Sequence, residues 1–236
     1  MPKTTIRERE VRIPVTSGPE MAGNRRAGPV HALQLEGNLT LPEGAKGIVL
    51  FAHGSGSSRF SPRNRFVAHA LQEAGLATLL IDLLNPQEEA VDVRTAELRF
   101  DIPFLAERLT EVIDWLGDDP DTRDLSVGLF GASTGGGAAL MAAVERPERV
   151  RAVVSRGGRP DLAAPVLPRV KTPTLLIVGG DDLPVIAMNQ TAFDQLKTEK
   201  RLWIVPGATH LFEEPGTLEQ VAGLAADWFT SHLRSQ

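Results

Sequence analysis

The stretch Leu125–Leu140, LSVGLFGASTGGGAAL, decides how the rest of the chain is read. Inside it, Gly131-Ala132-Ser133-Thr134-Gly135 forms a G-x-S-x-G pentapeptide. The apolar run Val127 to Phe130 leads in with the character of a strand, and the small-residue run Ala138 to Val144 follows with that of a helix. A serine between two glycines at such a corner leaves its oxygen projecting outward. The glycines keep Cβ atoms out of a turn too tight to hold them. Ser133 is therefore a candidate nucleophile. Attack by a hydroxyl also needs a base, a carboxylate to orient that base, and donors for the oxyanion that forms.

Composition narrows the setting. The 236 residues are 42% hydrophobic and 23% charged, enough for one large core, so a single domain over residues 1–236 is expected. The formal charge is −5 with the two signs interspersed and no basic run, which argues against a nucleic-acid partner. There is no cysteine, which excludes a disulfide scaffold, thiolate metal sites and a cysteine nucleophile, and fits a reducing cytosol. The opening MPKTTIREREVRIPV is charged and lacks the apolar core of a secretory signal. No stretch approaches the ~20 apolar residues of a membrane span. The expectation is a soluble cytoplasmic protein with no membrane partner.

Along the chain, Glu8 to Val15 and His31 to Leu41 alternate like strands, with an exposed loop (SGPEMAGNRRAG) between them. They are expected to be antiparallel at the sheet edge. Gly47–Ala52, Ala77–Asp82, Ser126–Phe130, Val150–Ser155, Thr174–Val178 and Leu202–Val205 read as further strands, most of them continuous apolar runs buried on both faces. Ser61-Pro62 reads as a cap and first turn of a helix closed by Gly75. Leu105, Leu109, Val112, Ile113 and Leu116 keep helical spacing up to Gly117; Val185–Leu196 and Leu218–Trp228 are helical as well. Asn85–Arg99 is polar and acidic and is given no element, and RGGRPDLAAPVLPRVK has room only for short helical turns. Strands alternating with helices predict a mostly parallel, eight-stranded sheet covered on both faces, with its site at the carboxyl ends of the strands.

Chemistry-bearing residues fall at those strand ends. His210 follows the last strand and is the candidate base; Asp181 and Asp182 follow the strand Thr174 to Val178, and either could orient it. The Thr134 amide, at a helix N-terminus, is one candidate oxyanion donor. Ser55, in the loop His53-Gly54-Ser55-Gly56, is the other. His53 is read as shaping that loop through backbone hydrogen bonds. Arg59, Arg156 and Arg159 lie near the same end of the sheet, where a guanidinium fork can hold a carboxylate of the substrate. Asp82 is read as a structural partner for a nearby loop. Nothing has metal-ligand spacing, and no cofactor is implied.

These residues resemble the α/β-hydrolase superfamily, and within it the dienelactone hydrolase-related group. The resemblance rests on HGSGSSRFSPRN, RTAELRFDIPFLAERL, GASTGGGAAL, SRGGRPDL, TPTLLIVGGDDLPVI and PGATHLFEEPGTLEQV, spread over Leu35 to Trp228. It implies an α/β-hydrolase fold with a minimal lid and the chain order nucleophile, acid, base. Through the pattern GG-x-D-x-P-V it implies Asp182 as the acid. The chain departs from the group's name-giving enzymes, which use a cysteine nucleophile, so hydrolysis of a small ester in general is the expectation. The loop Ser17 to Gly28 is also longer than the group's usual first hairpin. Some members are joined to phosphoribosyltransferase-type domains. Two rival functions keep the fold: an acyltransferase using the same triad, and a non-catalytic binder of a ligand or protein.

Overall fold

Runs of five or six apolar residues without a polar face can only be satisfied inside a sheet covered on both sides, and that is where this chain puts them. In the computed structural model, which describes residues 5–16, 18 and 33–233, β3 (Ile48–Ala52), β4 (Ala77–Ile81), β5 (Val127–Ala132) and β7 (Thr174–Gly179) are buried along their whole length. With β1 (Ile6–Val15), β2 (Leu33–Pro42), β6 (Val150–Arg156) and β8 (Lys200–Val205) they form an eight-stranded sheet in the order β1-β2-β4-β3-β5-β6-β7-β8. β2 is antiparallel to both its neighbours, and every pair from β4 to β8 is parallel. The edge hairpin and the mostly parallel α/β sheet agree with the sequence reading. The expected loop Ser17–Gly28 (Gly18 apart) and the His31 end of the second strand lie outside the described residues.

Side-chain alternation divides the core into two layers. Phe51, Phe130, Val154 and Ile177 face α1 (Pro62–Glu73) and α6 (Thr217–His232), with the Phe51 and Phe130 rings 4.9 Å apart. Leu50, Leu129, Val153 and Leu176 face the other way, with Leu109, Val112 and Ile113 of α3 (Ile102–Asp118) and the small residues of α4 (Thr134–Glu145). Fully burying each such leucine or isoleucine contributes about 1.5–3 kcal/mol. α5 (Leu183–Gln195) completes the set after β7.

Two readings are corrected. Gly117 does not end α3: the helix runs through it to Asp118, and the Asp119 N–H still bonds to Trp115 O, because the burial of Ile113 and Leu116 outweighs the roughly 1 kcal/mol cost of a helical glycine. Asn85–Arg99, left without an element, holds α2 (Pro86–Thr95) and a 3-10 turn at Leu98–Phe100. α2 starts with a full capping box. The Asn85 side chain accepts from the Gln87 and Glu88 N–H groups, and the Glu88 carboxylate accepts from the Asn85 N–H. The signal was present as N-P-x-E. No helix among the described residues is long and apolar enough to cross a membrane.

Candidate active site

β5 ends against its neighbours in a register that sets the corner: Ala52 of β3 pairs with Gly131, and Ala132 pairs with Arg156 of β6. The chain then turns at Ser133, which has φ 50° and ψ −123°, and enters α4. A Cβ on Gly131 would lie 2.5 Å from the carbonyl oxygen of Gly135, and one on Gly135 would strike the carbonyl oxygens of Ala52 and His53. Glycine at both positions is a steric requirement. The Ser133 N–H donates to Arg156 O (3.2 Å), and the Ser133 carbonyl accepts from the Gly136 and Arg159 N–H groups, 3.0 Å each. The corner is thus tied to the turn that follows β6.

The same turn meets His210. A Cβ on Gly157 would lie 3.5 Å from the ring atoms Nδ1 and Cε1 of His210, so the imidazole packs directly on this backbone. His210 Nδ1 lies 2.6 Å from Asp182 Oδ2. With Nδ1 carrying the proton it donates to the carboxylate, and Nε2 is left with a free lone pair. Asp182 stands at the N-terminal boundary of α5 with its side chain making no capping bond there, while Asp181 is exposed and uses its N–H to bond Ala208 O. Of the two carboxylates, the structure brings Asp182, the one the family resemblance implied, to the histidine. Ser133 is partly exposed, and its Oγ has no hydrogen-bond partner among the described residues.

On the other side of the corner runs the loop after β3. A Cβ on Gly54 would lie 3.0 Å from the Ser133 Cβ, so this loop sits against the serine. His53 pins it: Nδ1 meets Gly54 O at 2.9 Å, and Nε2 accepts from the Leu83 N–H at 3.1 Å. Burial pushes the His53 pKa below the usual 6.5, so the ring stays neutral with one nitrogen donating and the other accepting. The Thr134 N–H is the first of α4 and has no acceptor within the helix. The Ser55 N–H, expected to face the oxyanion, instead donates to Thr134 Oγ1 at 3.0 Å.

The three arginines differ. Arg59 is spent. Its guanidinium pairs with Asp82 and with Glu36 (2.7 Å), and its N–H also donates to Asp82 at 2.7 Å. Both terminal nitrogens of its fork are engaged and only Nε lacks a partner, so a substrate carboxylate would have to compete with Asp82 and Glu36. Asp82 is the loop anchor it was read as. Arg159 is likewise held by Asp161 through two 2.8 Å bonds. Arg156 is different: it is 7% exposed, no carboxylate pairs with its guanidinium among the described residues, and the Phe212 ring lies 5.8 Å from Cζ. Burial, and then the nearby charge of Arg63, bring its pKa down to about 10, so it remains a cation at neutral pH. Phe212, two residues after His210, has φ 56°.

A feature the motif reading missed is the roof over the loop after β3. Asp92 of α2, fully buried, accepts from the Leu98 and Arg99 N–H groups (2.7 and 3.1 Å) and from Arg99 Nε (2.5 Å). Arg99, Asp92, Leu84 and Leu105 close a void of about 20 Å³ beside Gly54–Ser57 and Thr134. A wider cleft of about 250 Å³ next to it is lined by His53, Ser57, Arg59, Asp82 and Glu89.

A protein-family model described as the dienelactone hydrolase family matches residues 35–231. The chain belongs to that family. A dienelactone hydrolase of known structure from Anabaena variabilis is 62% identical, with a TM-score of 0.87 over 96% of this chain and 99% of that one. The protein Est1E of Butyrivibrio proteoclasticus (16% identity, TM-score 0.68, 84% of this chain and 94% of that one) shares the α/β-hydrolase fold. So does P91, a dienelactone hydrolase-like phosphotriesterase from metagenomic libraries (17% identity, TM-score 0.71, 96% and 99%). Proteins of two Mycobacterium tuberculosis strains, provisionally named phosphoribosyl transferases, are 60% identical over 207 residues. That span is 88% of this chain and 45% of each relative, so the chain covers about half the length of the curated relatives it matches.

Proposed function

We propose that this dienelactone hydrolase family member is a serine hydrolase that cleaves a small carboxylic ester or related acyl compound. The observation that carries the reading is the 2.6 Å contact of His210 Nδ1 with Asp182, on the same backbone turn that holds the strained Ser133 corner. In the proposed reaction Ser133 Oγ attacks the ester carbonyl carbon while His210 Nε2 takes its proton. Asp182 keeps the imidazole in the Nδ1–H form and stabilises its cation. The tetrahedral oxyanion collapses, the C–O bond to the alcohol breaks, and His210 returns the proton to the departing oxygen. Water then repeats the sequence on the acyl-enzyme and releases the acid. Arg156 is the residue we assign to an anionic group on the substrate, because its charge is buried beside the site without a carboxylate partner.

The M. tuberculosis relatives are about twice as long, and we assign hydrolase chemistry to the part that this chain shares with them. An acyltransferase would use the same residues with an alcohol or amine in place of water, and product partitioning in the presence of such acceptors separates the two. The decisive experiment uses a fluorophosphonate probe and p-nitrophenyl acetate on the purified chain. Labelling is expected at Ser133, and Ser133→Ala and His210→Ala are expected to lose at least a thousandfold in kcat. Turnover that survives Ser133→Ala would overturn the assignment.

A further inference from the structure

The loop donor is already engaged by a side chain. The Ser55 N–H is bonded at 3.0 Å to Thr134 Oγ1, and Thr134 is 3% exposed. A threonine hydroxyl has one proton and two lone pairs. Ser55 fills a lone pair, and among the described residues no group accepts the proton in return. A buried hydroxyl left with an unmatched proton costs free energy unless an acceptor arrives.

Building on the serine-hydrolase reading above, we propose that the Thr134 side chain is itself a catalytic donor, its O–H joining its own N–H in holding the oxyanion. The Ser55 N–H would then act through the hydroxyl rather than on the substrate. Three facts of chemistry support this. The backbone N is bonded to Cα and Oγ1 is bonded to Cβ, three bonds from that N, so with the two gauche about Cα–Cβ both donors can reach one acceptor. The bond from Ser55 locks that rotamer and, by polarising the hydroxyl, makes its O–H a stronger donor. The carbonyl oxygen gains its negative charge only as the carbon becomes tetrahedral, so the bond is stronger in the transition state than with bound ester, which is the condition for raising kcat rather than lowering KM. The alternative is a latch: Thr134 merely holds the loop, and the Ser55 N–H is withheld from the oxyanion until the bond breaks.

The two make opposite forecasts for Thr134→Val, which keeps the shape and loses the hydroxyl. As a donor, Thr134→Val lowers kcat on p-nitrophenyl acetate about 100-fold with KM changed less than about threefold. It weakens inhibition by an alkyl boronic acid, whose Ser133 adduct carries the tetrahedral anion, by a similar factor. As a latch, removing the hydroxyl frees the Ser55 N–H, and kcat holds or rises. Thr134→Ser and Thr134→Ala, which differ by the hydroxyl alone, repeat the comparison without relying on how valine packs: serine is expected within a few-fold of the wild type and alanine as slow as valine. A wild-type kcat in Thr134→Val, or a serine variant as slow as alanine, overturns the proposal and leaves the Ser133 mechanism standing. A wild type that the fluorophosphonate probe does not label at Ser133 overturns both.

Discussion

Ser133 holds φ 50° and ψ −123° in a conformation that L-residues with a Cβ rarely adopt, and the bonds through its N–H and C=O keep it there. Such strain costs on the order of 1–3 kcal/mol, against about 0.5–1 kcal/mol for the extra freedom of an unfolded glycine. Ser133→Gly is therefore expected to be more stable than Ser133→Ala by about 1 kcal/mol, a Tm higher by roughly 2–4 °C in calorimetry, although both lack the nucleophile. A Ser133→Gly variant melting below Ser133→Ala would mean that the corner stores no strain beyond the cost of the glycine. Arg156 invites a second measurement. Its guanidinium has no carboxylate partner among the described residues, so Arg156→Gln is expected to leave Tm within about 2 °C. If it anchors an anionic group, the same change raises KM at least tenfold for an ester bearing a carboxylate and leaves p-nitrophenyl acetate within about twofold. A uniform change for both esters would remove the anchoring role.

At the scale of elements, α2 and the 3-10 turn after it are held less by apolar packing than by buried charge. Asp92 gathers Leu98, Arg99 and the Arg99 side chain, and Glu88 reaches the fully buried Arg108 at 2.5 Å. Breaking one member of a buried pair strands the other charge, at a cost of about 3–5 kcal/mol. Asp92→Ala is expected to open residues 86–101 in hydrogen exchange before the sheet, and to loosen the side of the loop that faces Thr134. Protection unchanged across that segment would show that α2 does not depend on the pair. This element was half legible. The capping box N-P-x-E stood in the sequence, but an acidic, polar run has no apolar period to announce a helix. What makes it one is the arginine pair waiting at Arg99 and Arg108, outside the helix itself.

For the whole molecule, His53 couples the loop after β3 to global stability. Its folded pKa lies below the usual 6.5 because burial disfavours the charged ring. Below that pH the unfolded chain takes up a proton that the folded chain refuses, so stability is present above 6.5 and falls as pH drops toward the lowered folded value. The urea midpoint of the wild type is expected to fall more between about pH 7.5 and 5.5 than that of His53→Asn, which cannot titrate. Parallel losses in the two proteins would detach His53 from that slope.

The succession of strands along the chain, the two-faced core and the tight corner at Ser133 are written in short-range patterns: apolar runs, small residues, and glycine where a Cβ cannot fit. Those patterns act within a few residues, and a single sequence displays them. Partner choice across the fold is another matter. That Arg59 is consumed by Asp82 and Glu36 while Arg156 has no carboxylate partner among the described residues, and that the Ser55 N–H turns to Thr134, depend on pairs up to 79 residues apart. Each turns on the direction of one side chain or N–H at a strand end. Only the packed sheet, which sets where those ends lie and what surrounds them, decides it.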